Sequence, residues 1–387
     1  MEFSDLVVQF ASSNLQQLAE KKAQMLEAEQ RVIDLSIGTP DLAPGPHVIQ
    51  AVMTASMDPG NYRYSLLDLP RLRSAVLNWY KRRYDVKLNE DEYLSLNGTQ
   101  EGFAHVFLAI CNPGDLVIVG TPGYPVFSYG PLLARARLYK TPLLEENGYL
   151  VDFDSIPESV ARQAKAIIVS YPSNPHGATA PASFYERLID FARKFDVIVI
   201  HDNAYADFVH DSKPAGSFLR FPGARDVGIE FASLSKSYNL TGLRLAFAMG
   251  NRELIQAFKK VRNQIDYGLS FIDQYAAIAA LEGPDDVIQN NRIRYRERRD
   301  VLCLAMREIG WNVPKTPASM FTWFPIPENT TSDEFALQLL DRAGILCVPG
   351  SIYGEGGEGY LRFALVQPRE VIAEAALLIA QSGLIQQ

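Results

Sequence analysis

From about residue 45 to 280 the chain alternates helix-patterned stretches with short, almost unbroken apolar runs. The runs fall at 93–96, 116–119, 166–171, 197–201, 229–233 and 245–249. Several are β-branched, as in Ala166-Ile167-Ile168-Val169 and Val197-Ile198-Val199-Ile200. Apolar runs without polar alternation predict strands covered on both faces. The helical stretches between them predict the crossovers of a mostly parallel sheet. Ahead of this region, residues 4–29 carry Leu6, Phe10, Leu15, Leu18 and Met25 on a rough helical stripe. Ile33-Asp34-Leu35-Ser36-Ile37-Gly38 then reads as a short strand running into a Gly/Pro loop. After Gly283-Pro284 the pattern changes to a long charged helix over 285–309, shorter strands, a Gly-rich loop and a last helix near 368–382. The expected fold class is therefore α/β, with a large helix-covered sheet domain over 45–284. A smaller α+β domain occupies 285–387, and an N-terminal segment, 1–44, packs with it. No internal repeat is visible.

Composition narrows the function classes. The chain has 387 residues, 47% of them apolar, and a formal net charge of −8. That balance argues against general binding to nucleic acid or to anionic membranes. No run of about 18 apolar residues predicts a membrane span. The N-terminus begins acidic, without the basic and apolar stretches of a secretory leader. Cys111, Cys303 and Cys347 are odd in number and widely spaced, and neither C-x-x-C nor H-E-x-x-H occurs. No metal site is expected, and a reducing, cytoplasmic compartment is.

The chemistry concentrates at strand ends. Ser233-Leu234-Ser235-Lys236-Ser237-Tyr238-Asn239-Leu240-Thr241-Gly242-Leu243-Arg244 lies between two apolar runs. A lone loop lysine is usually just solvated. Here Lys236 falls at the carboxyl edge of a sheet, where α/β proteins place ligands. Hydroxyls and a guanidinium around it are what a phosphate monoester needs. A lysine beside a phosphate site suggests a Schiff base to pyridoxal phosphate. That cofactor needs an acid opposite its ring nitrogen, and Asp202 follows the apolar run 197–200. An Asp at a strand end is more often a turn or cap residue. Buried unpaired it would be costly, and a pyridinium removes the objection. Tyr205, three residues on, and Asn174, in Tyr171-Pro172-Ser173-Asn174-Pro175-His176-Gly177, offer hydrogen bonds to the ring oxygen. Asn97-Gly98-Thr99-Gln100-Glu101-Gly102 opens a helix after run 93–96, which makes an anion site at the helix start.

With these residues in place the chain resembles the fold-type-I, class I/II pyridoxal-phosphate aminotransferases. The matches run in order over nearly the whole length. They are Ile37-Gly38-Thr39-Pro40-Asp41, Tyr62-Arg63-Tyr64-Ser65, Gly98-Thr99-Gln100, Pro122-Gly123-Tyr124-Pro125, Asn174-Pro175-His176-Gly177, Asp202-Asn203-Ala204-Tyr205, Ser235-Lys236, Arg244, and Tyr360-Leu361-Arg362-Phe363. Within the family the chain is most similar to the LL-diaminopimelate and aspartate aminotransferase-like branch, through Gly98-Thr99-Gln100-Glu101-Gly102 and Val227-Gly228-Ile229-Glu230-Phe231. The resemblance implies a ping-pong exchange of an amino group between an amino acid and a 2-oxo acid, with glutamate/2-oxoglutarate as one couple. It implies that Lys236 carries the cofactor and shuttles the Cα proton. Asp202 would pair with the pyridinium, Asn174 and Tyr205 would bond the ring oxygen, and Tyr124 would stack on the ring. Gly98, Thr99, Gln100, Ser233, Ser235 and Arg244 would surround the phosphate. Gly38 and Arg362 would hold the substrate carboxylate, with Asn174 beside them. Tyr64 would reach the phosphate of a neighbouring subunit, which implies a homodimer. Asp68 and Ala246 stand where many relatives have Gly, which concerns local packing rather than catalysis.

The motifs are shared by pyridoxal-phosphate carbon–sulfur β-lyases, and a non-enzymatic regulatory relative is the remaining alternative. Gly354-Glu355-Gly356-Gly357-Glu358-Gly359 contains G-x-G-x-x-G, but it precedes a strand-like segment and is acidic, so it reads as a flexible loop near the substrate mouth. Substrate selectivity is expected from loops 12–20, 63–67, 262–272 and 350–358. Arg63, Arg262 and Asn263 are candidates for a distal carboxylate.

Overall fold

The computed structural model describes residues 4–9 and 15–385. Its strands are β1 (Ile33–Asp34), β2 (Tyr93–Leu96), β3 (Leu116–Thr121), β4 (Arg137–Pro142), β5 (Ala164–Ser170), β6 (Ile198–Asp202), β7 (Gly228–Ser233), β8 (Ala246–Gly250), β9 (Phe321–Pro325), β10 (Ile345–Leu346), β11 (Val348–Pro349) and β12 (Tyr360–Ala364). Seven of them form the large sheet, in the order β2-β8-β7-β6-β5-β3-β4. Only β8 runs against the others, pairing antiparallel with both β2 and β7. The mostly parallel, helix-covered sheet expected from the apolar runs is therefore present, and each of the six runs is a strand.

Burial explains the unbroken runs. Ile167 and Val169 of β5 point into one buried cluster, with Leu188 and Phe184 of the helix Ala182–Phe195. Ala166 and Ile168 point into the other, with Phe103 and Phe107 of the helix Thr99–Ile110. With both faces covered, neither side of the strand can be polar. β4 escaped the sequence reading because, unlike the buried edge strand β2, it has few buried residues. Its Arg137-Leu138-Tyr139-Lys140-Thr141-Pro142 is largely solvent-facing and lacks an apolar run.

Beyond the sheet, β11, β12 and β9 make a three-stranded antiparallel sheet, and β1 pairs in parallel with β10. The helices Asp286–Glu308 and Arg369–Gln381 match the long and final helices expected. Leu18, Met25, Ile33 and Leu35 share a core with Phe335, Leu339, Leu361 and Ile379. Among the described residues, the stretch 4–29 with its helical pattern forms the helices Asp5–Gln9 and Leu15–Glu27. Phe10 lies outside the described residues. Asp41 is a structural residue: its carboxylate takes both terminal nitrogens of Arg298 at 2.7 Å, tying the N-terminal segment to the long helix.

Two local expectations are settled by packing. Asp68 causes no defect, because it accepts hydrogen bonds from Ser95 Oγ at 2.9 Å and from Tyr93 OH and so fixes the helix entry to β2. The Gly-rich run 354–359 is not a flexible loop. Gly357 is buried and packs backbone to backbone on Gly350, where a Cβ on either would collide with the other's carbonyl. Gly356 N–H donates to Thr121 Oγ1 at 3.3 Å, pinning the loop to the end of β3.

Candidate active site

The carboxyl edge of the large sheet collects the polar residues. Ser170, Asp202 and Ser233 are the last residues of β5, β6 and β7, and Gly98 follows β2. Arg244 joins them because β8 is antiparallel: Ala246 is the register partner of Ser233, so the start of β8 lies at the edge where its neighbours end. Asp202, Ser233 and Arg244 line one cavity of about 420 Å³. Thr99, Gln100, Tyr124, Asn174, Tyr205, Ser235, Lys236, Gly38 and Arg362 line it too. Of the residues singled out from sequence, Gly98 borders the cavity through Arg244, and Tyr64 does not face it. Tyr64 is 75% exposed, edge-on to Tyr267 at 5.0 Å between ring centres.

Gly98 is obligatory here. Its φ is +94°, and a Cβ would overlap the guanidinium of Arg244. That close approach places Arg244 against the start of the twelve-residue helix Thr99–Ile110, whose first N–H groups have no helical acceptor. Ser233 caps the short helix carrying Lys236, its Oγ accepting from Ser235 N at 3.1 Å. Together these make a cradle for a dianion.

Lys236 Nζ donates to the carbonyl of Gly38. Burial pushes its pKa down to about 8, and the positive charges of Arg362 and Arg244 add to the effect. Burial raises the Asp202 carboxyl to about 6, with His201 and the Ser170 hydroxyl pulling the other way. Ser170 Oγ donates to Asp202 Oδ2 at 3.2 Å, while Oδ1 is buried without a partner. An orphaned buried carboxylate oxygen is a defect in a closed core. Here it faces a cavity, and the N–H of a pyridinium would complete it. With the anion cradle, the donor set fits pyridoxal phosphate.

Arg362 is held by two separate segments of the chain. Its Nη1 donates to Asn174 Oδ1 at 3.1 Å and its Nη2 to the Ser36 carbonyl at 2.6 Å; Nε is buried without a partner. Its guanidinium stacks 4.0 Å from the centre of the Phe321 ring and 5.3 Å from that of Tyr353. Phe321 and Ser170 escaped the sequence reading, and Ile352 and Tyr353 entered it only as part of loop 350–358. They come from segments far from the lysine, and nothing local singles them out. Arg262 and Asn263 do not reach this cavity; they border a separate one of about 330 Å³, where Arg262 is buried and pairs with Asp266 at 3.0 Å. Loops 63–67 and 262–268 border that second cavity as well. Of loop 12–20, residues 12–14 lie outside the described residues. Of loop 350–358, Ile352 and Tyr353 line the main cavity. Among the described residues no cluster could hold a metal ion.

A parallel sheet with an anion cradle, a buried lysine and an orphaned aspartate at its carboxyl edge defines a pyridoxal-phosphate enzyme of fold type I. The chain belongs to the aminotransferase class I and II family, whose model matches residues 30–377. It is 41% identical over 377 residues to LL-diaminopimelate aminotransferase of Aquifex aeolicus, covering 97% of each chain, and 43% identical over 361 residues to the enzyme of that name from Moorella thermoacetica, covering 92% of each. Substrate-bound BacF of Bacillus subtilis superimposes with a TM-score of 0.95 at 36% identity, covering 99% of this chain and 98% of that one. A probable N-succinyldiaminopimelate aminotransferase from Thermus thermophilus gives 0.89 at 36% identity, covering 96% and 100%. The protein is a pyridoxal-phosphate-dependent aminotransferase that moves amino groups between an amino acid and a 2-oxo acid.

Proposed function

We propose that the cavity at the sheet's carboxyl edge is the transamination site, with residue roles as follows. One observation carries the reading: Lys236 Nζ, the unpaired Asp202 Oδ1 and the Gly98–Arg244 cradle open into the same cavity. Pyridoxal phosphate, once bound, supplies an electron sink for the pair left when a proton leaves the substrate Cα. Lys236 holds the cofactor and then moves that proton. Its lowered proton affinity leaves a useful neutral fraction near neutral pH. Asp202 keeps a negative charge against the ring nitrogen. Asn174 has its Oδ1 engaged by Arg362, which leaves its amide nitrogen, with Tyr205 OH, for the ring oxygen. Tyr124, whose hydroxyl donates to Gln100 at 3.2 Å, covers the ring and keeps water out. Arg362 takes the substrate α-carboxylate.

We also propose a division into a segment 1–44, a large domain 45–284 and a small domain 285–387, with Arg362 on the small side and Lys236 on the large. We also infer a homodimer, in which Tyr64 meets the neighbour's phosphate. The exposed Tyr62, Tyr64, Leu66, Leu67 and Tyr267 support that pairing face. We also propose a cytoplasmic setting; Cys303 and Cys347 are buried and Cys111 is partly buried. No helix among the described residues is long and apolar enough to cross a membrane. We propose glutamate/2-oxoglutarate as one couple; among the described residues the cations lining the cavity are Lys236, Arg244 and Arg362.

Ping-pong kinetics test the assignment: double-reciprocal plots at several acceptor concentrations should be parallel, and intersecting lines would contradict it. Two variants probe the ends of the site. Gly98→Ala should weaken cofactor binding by about tenfold or more, because the new methyl displaces Arg244 from the phosphate. Fluorescence titration with pyridoxal phosphate reads this, and unchanged affinity would remove Gly98 from the cradle. Arg362→Lys should raise the KM for amino acids by roughly 10- to 100-fold while cofactor affinity holds, since an ammonium cannot make the planar two-point contact. A normal KM would place the carboxylate elsewhere.

A further inference from the structure

The face of the large sheet behind Asp202 holds a second buried acid. Successive residues of a strand point to opposite faces, so where Asp202 opens into the main cavity, His201 points away from it. β6 and β7 run parallel with His201 and Glu230 as register partners, which sets these two side chains together on the far face. His201 Nδ1 and Glu230 Oε2 are 2.8 Å apart, and neither side chain has any exposed surface. This chain alone encloses both, so a neighbouring subunit cannot alter their surroundings.

Glu230 accepts from every side. Its Oε1 takes the hydroxyl of Tyr80, from the helix Pro70–Tyr84, and Ser217 Oγ at 2.6 Å. Its Oε2 takes the Phe218 N–H at 2.7 Å as well as His201. Four partners on two oxygens suit a carboxylate, which only accepts. Burial raises its proton affinity, but the bonds from His201, Ser217 and Tyr80 outweigh burial and leave it below the ordinary value. A carboxylate so enclosed needs a cation. The other titratable groups facing the pair are phenols: Tyr80, Tyr84 at 4.9 Å from it between ring centres, and Tyr185, whose hydroxyl lies 3.4 Å from His201 Nε2. Burial pushes all three up, so they stay neutral. Arg83, whose charge reaches Tyr84, is paired with Asp207 and Asp285. Among the described residues that leaves His201 to carry the positive charge.

The pair is then a dipole. Its positive end is on the strand of Asp202, and its negative end is one strand away. Burial raises the Asp202 carboxyl, the charge of His201 opposes this, and that of Glu230 adds back less than His201 removes. On its cavity side Asp202 meets Ser170, with Tyr124, Tyr205 and the cations Lys236, Arg244 and Arg362 lining the same space.

We propose that Glu230 holds His201 as an imidazolium, and that the two are positioning residues that keep Asp202 ionised opposite the ring nitrogen. This rests on the reading of Asp202 as the partner of that nitrogen, but the charge relation itself needs no cofactor. The test therefore uses the cofactor-free protein labelled with carboxyl carbon-13 aspartate, in which the NMR signal lost in Asp202→Asn reports the titration of that residue. His201→Gln should move its midpoint from about 6 upward by roughly one pH unit. The double variant His201→Gln/Glu230→Gln, which strands no buried charge, should fold and move it upward by a smaller amount. A role in packing alone would lower the melting temperature without moving the midpoint. A midpoint that stays or falls in the double variant overturns the proposal. Pyridoxal-phosphate titration separates the two readings. His201→Gln should bind it about fivefold more weakly near pH 6 and equally near pH 8.5. The same loss at both pH values beside a shifted midpoint overturns the placement of Asp202 and leaves the charge relation supported. Nitrogen-15 spectra of the unaltered protein decide the charge without any variant, the His201 signal being assigned through the Tyr185 ring, 5.6 Å away between centres. Both ring nitrogens should carry protons near pH 7, and one bare nitrogen overturns the proposal.

Discussion

Lys236→Ala should lower turnover by at least ~10⁴-fold while leaving the fold and the phosphate cradle intact. The loss is large because one atom performs two tasks, holding the cofactor and carrying the proton at Cα. Among the described residues no other amine lines the cavity to replace it. Tyr205, which lines the same cavity, is buried and has its proton affinity pushed up, so it cannot take the role near neutral pH. The cradle does not depend on the lysine side chain: Ser233 bonds the backbone of Ser235, and Arg244 bonds the Thr241 carbonyl at 3.0 Å. The variant should therefore bind pyridoxal phosphate reversibly and show partial recovery with added small primary amines. A variant that keeps ordinary turnover would remove Lys236 from the mechanism.

Asp202→Asn should reduce turnover by roughly 10²- to 10⁴-fold, since a neutral amide cannot hold the ring nitrogen protonated. It should also change the pH dependence of stability in a defined direction. Burial raises the Asp202 pKa from 3.8 to about 6, so the cofactor-free fold favours the protonated acid. The fold carries no penalty from this group below the unfolded pKa. A penalty then develops as pH rises through the window from about 4 to 6, reaching on the order of 3 kcal/mol. Lys236 does not confuse this window. Its pKa is lowered to about 8, so its own cost develops between 10.5 and 8 and is constant below. A pyridinium opposite Oδ1 cancels the Asp202 penalty. The gap in melting temperature between holoenzyme and cofactor-free protein should therefore widen from pH 4 to pH 6. In Asp202→Asn it should not widen. Equal pH profiles for the two proteins would show that Asp202 does not face the ring nitrogen.

The parts of this site legible in the sequence are those whose position follows from a strand end. Asp202 and Ser233 terminate apolar runs, and Lys236 follows directly, so their meeting at one edge is a consequence of parallel order. Arg244 was legible for a different reason: it precedes a strand, and reaches the same edge only because β8 reverses direction. What stayed hidden depends on the tertiary arrangement. Phe321 reaches the cavity from β9, and Ile352 and Tyr353 from the 3-10 turn Gly350–Tyr353, inside a loop that the sequence marks only as a stretch. Ser170 meets Asp202 through the register of β5 with β6. Arg262 reads as a free cation in sequence, but it is buried against Asp266 in a separate cavity. The Gly354–Gly359 run suggests mobility by composition, whereas its glycines serve close packing against Gly350 and Thr121.

The most direct test is to reduce the holoenzyme with borohydride, which fixes the cofactor to its lysine, and to map the modified peptide by mass spectrometry. The expected result is a single modified peptide containing Lys236, with the colour lost and the cofactor no longer removable by dialysis. Modification at any other lysine, or none at all, would contradict the account.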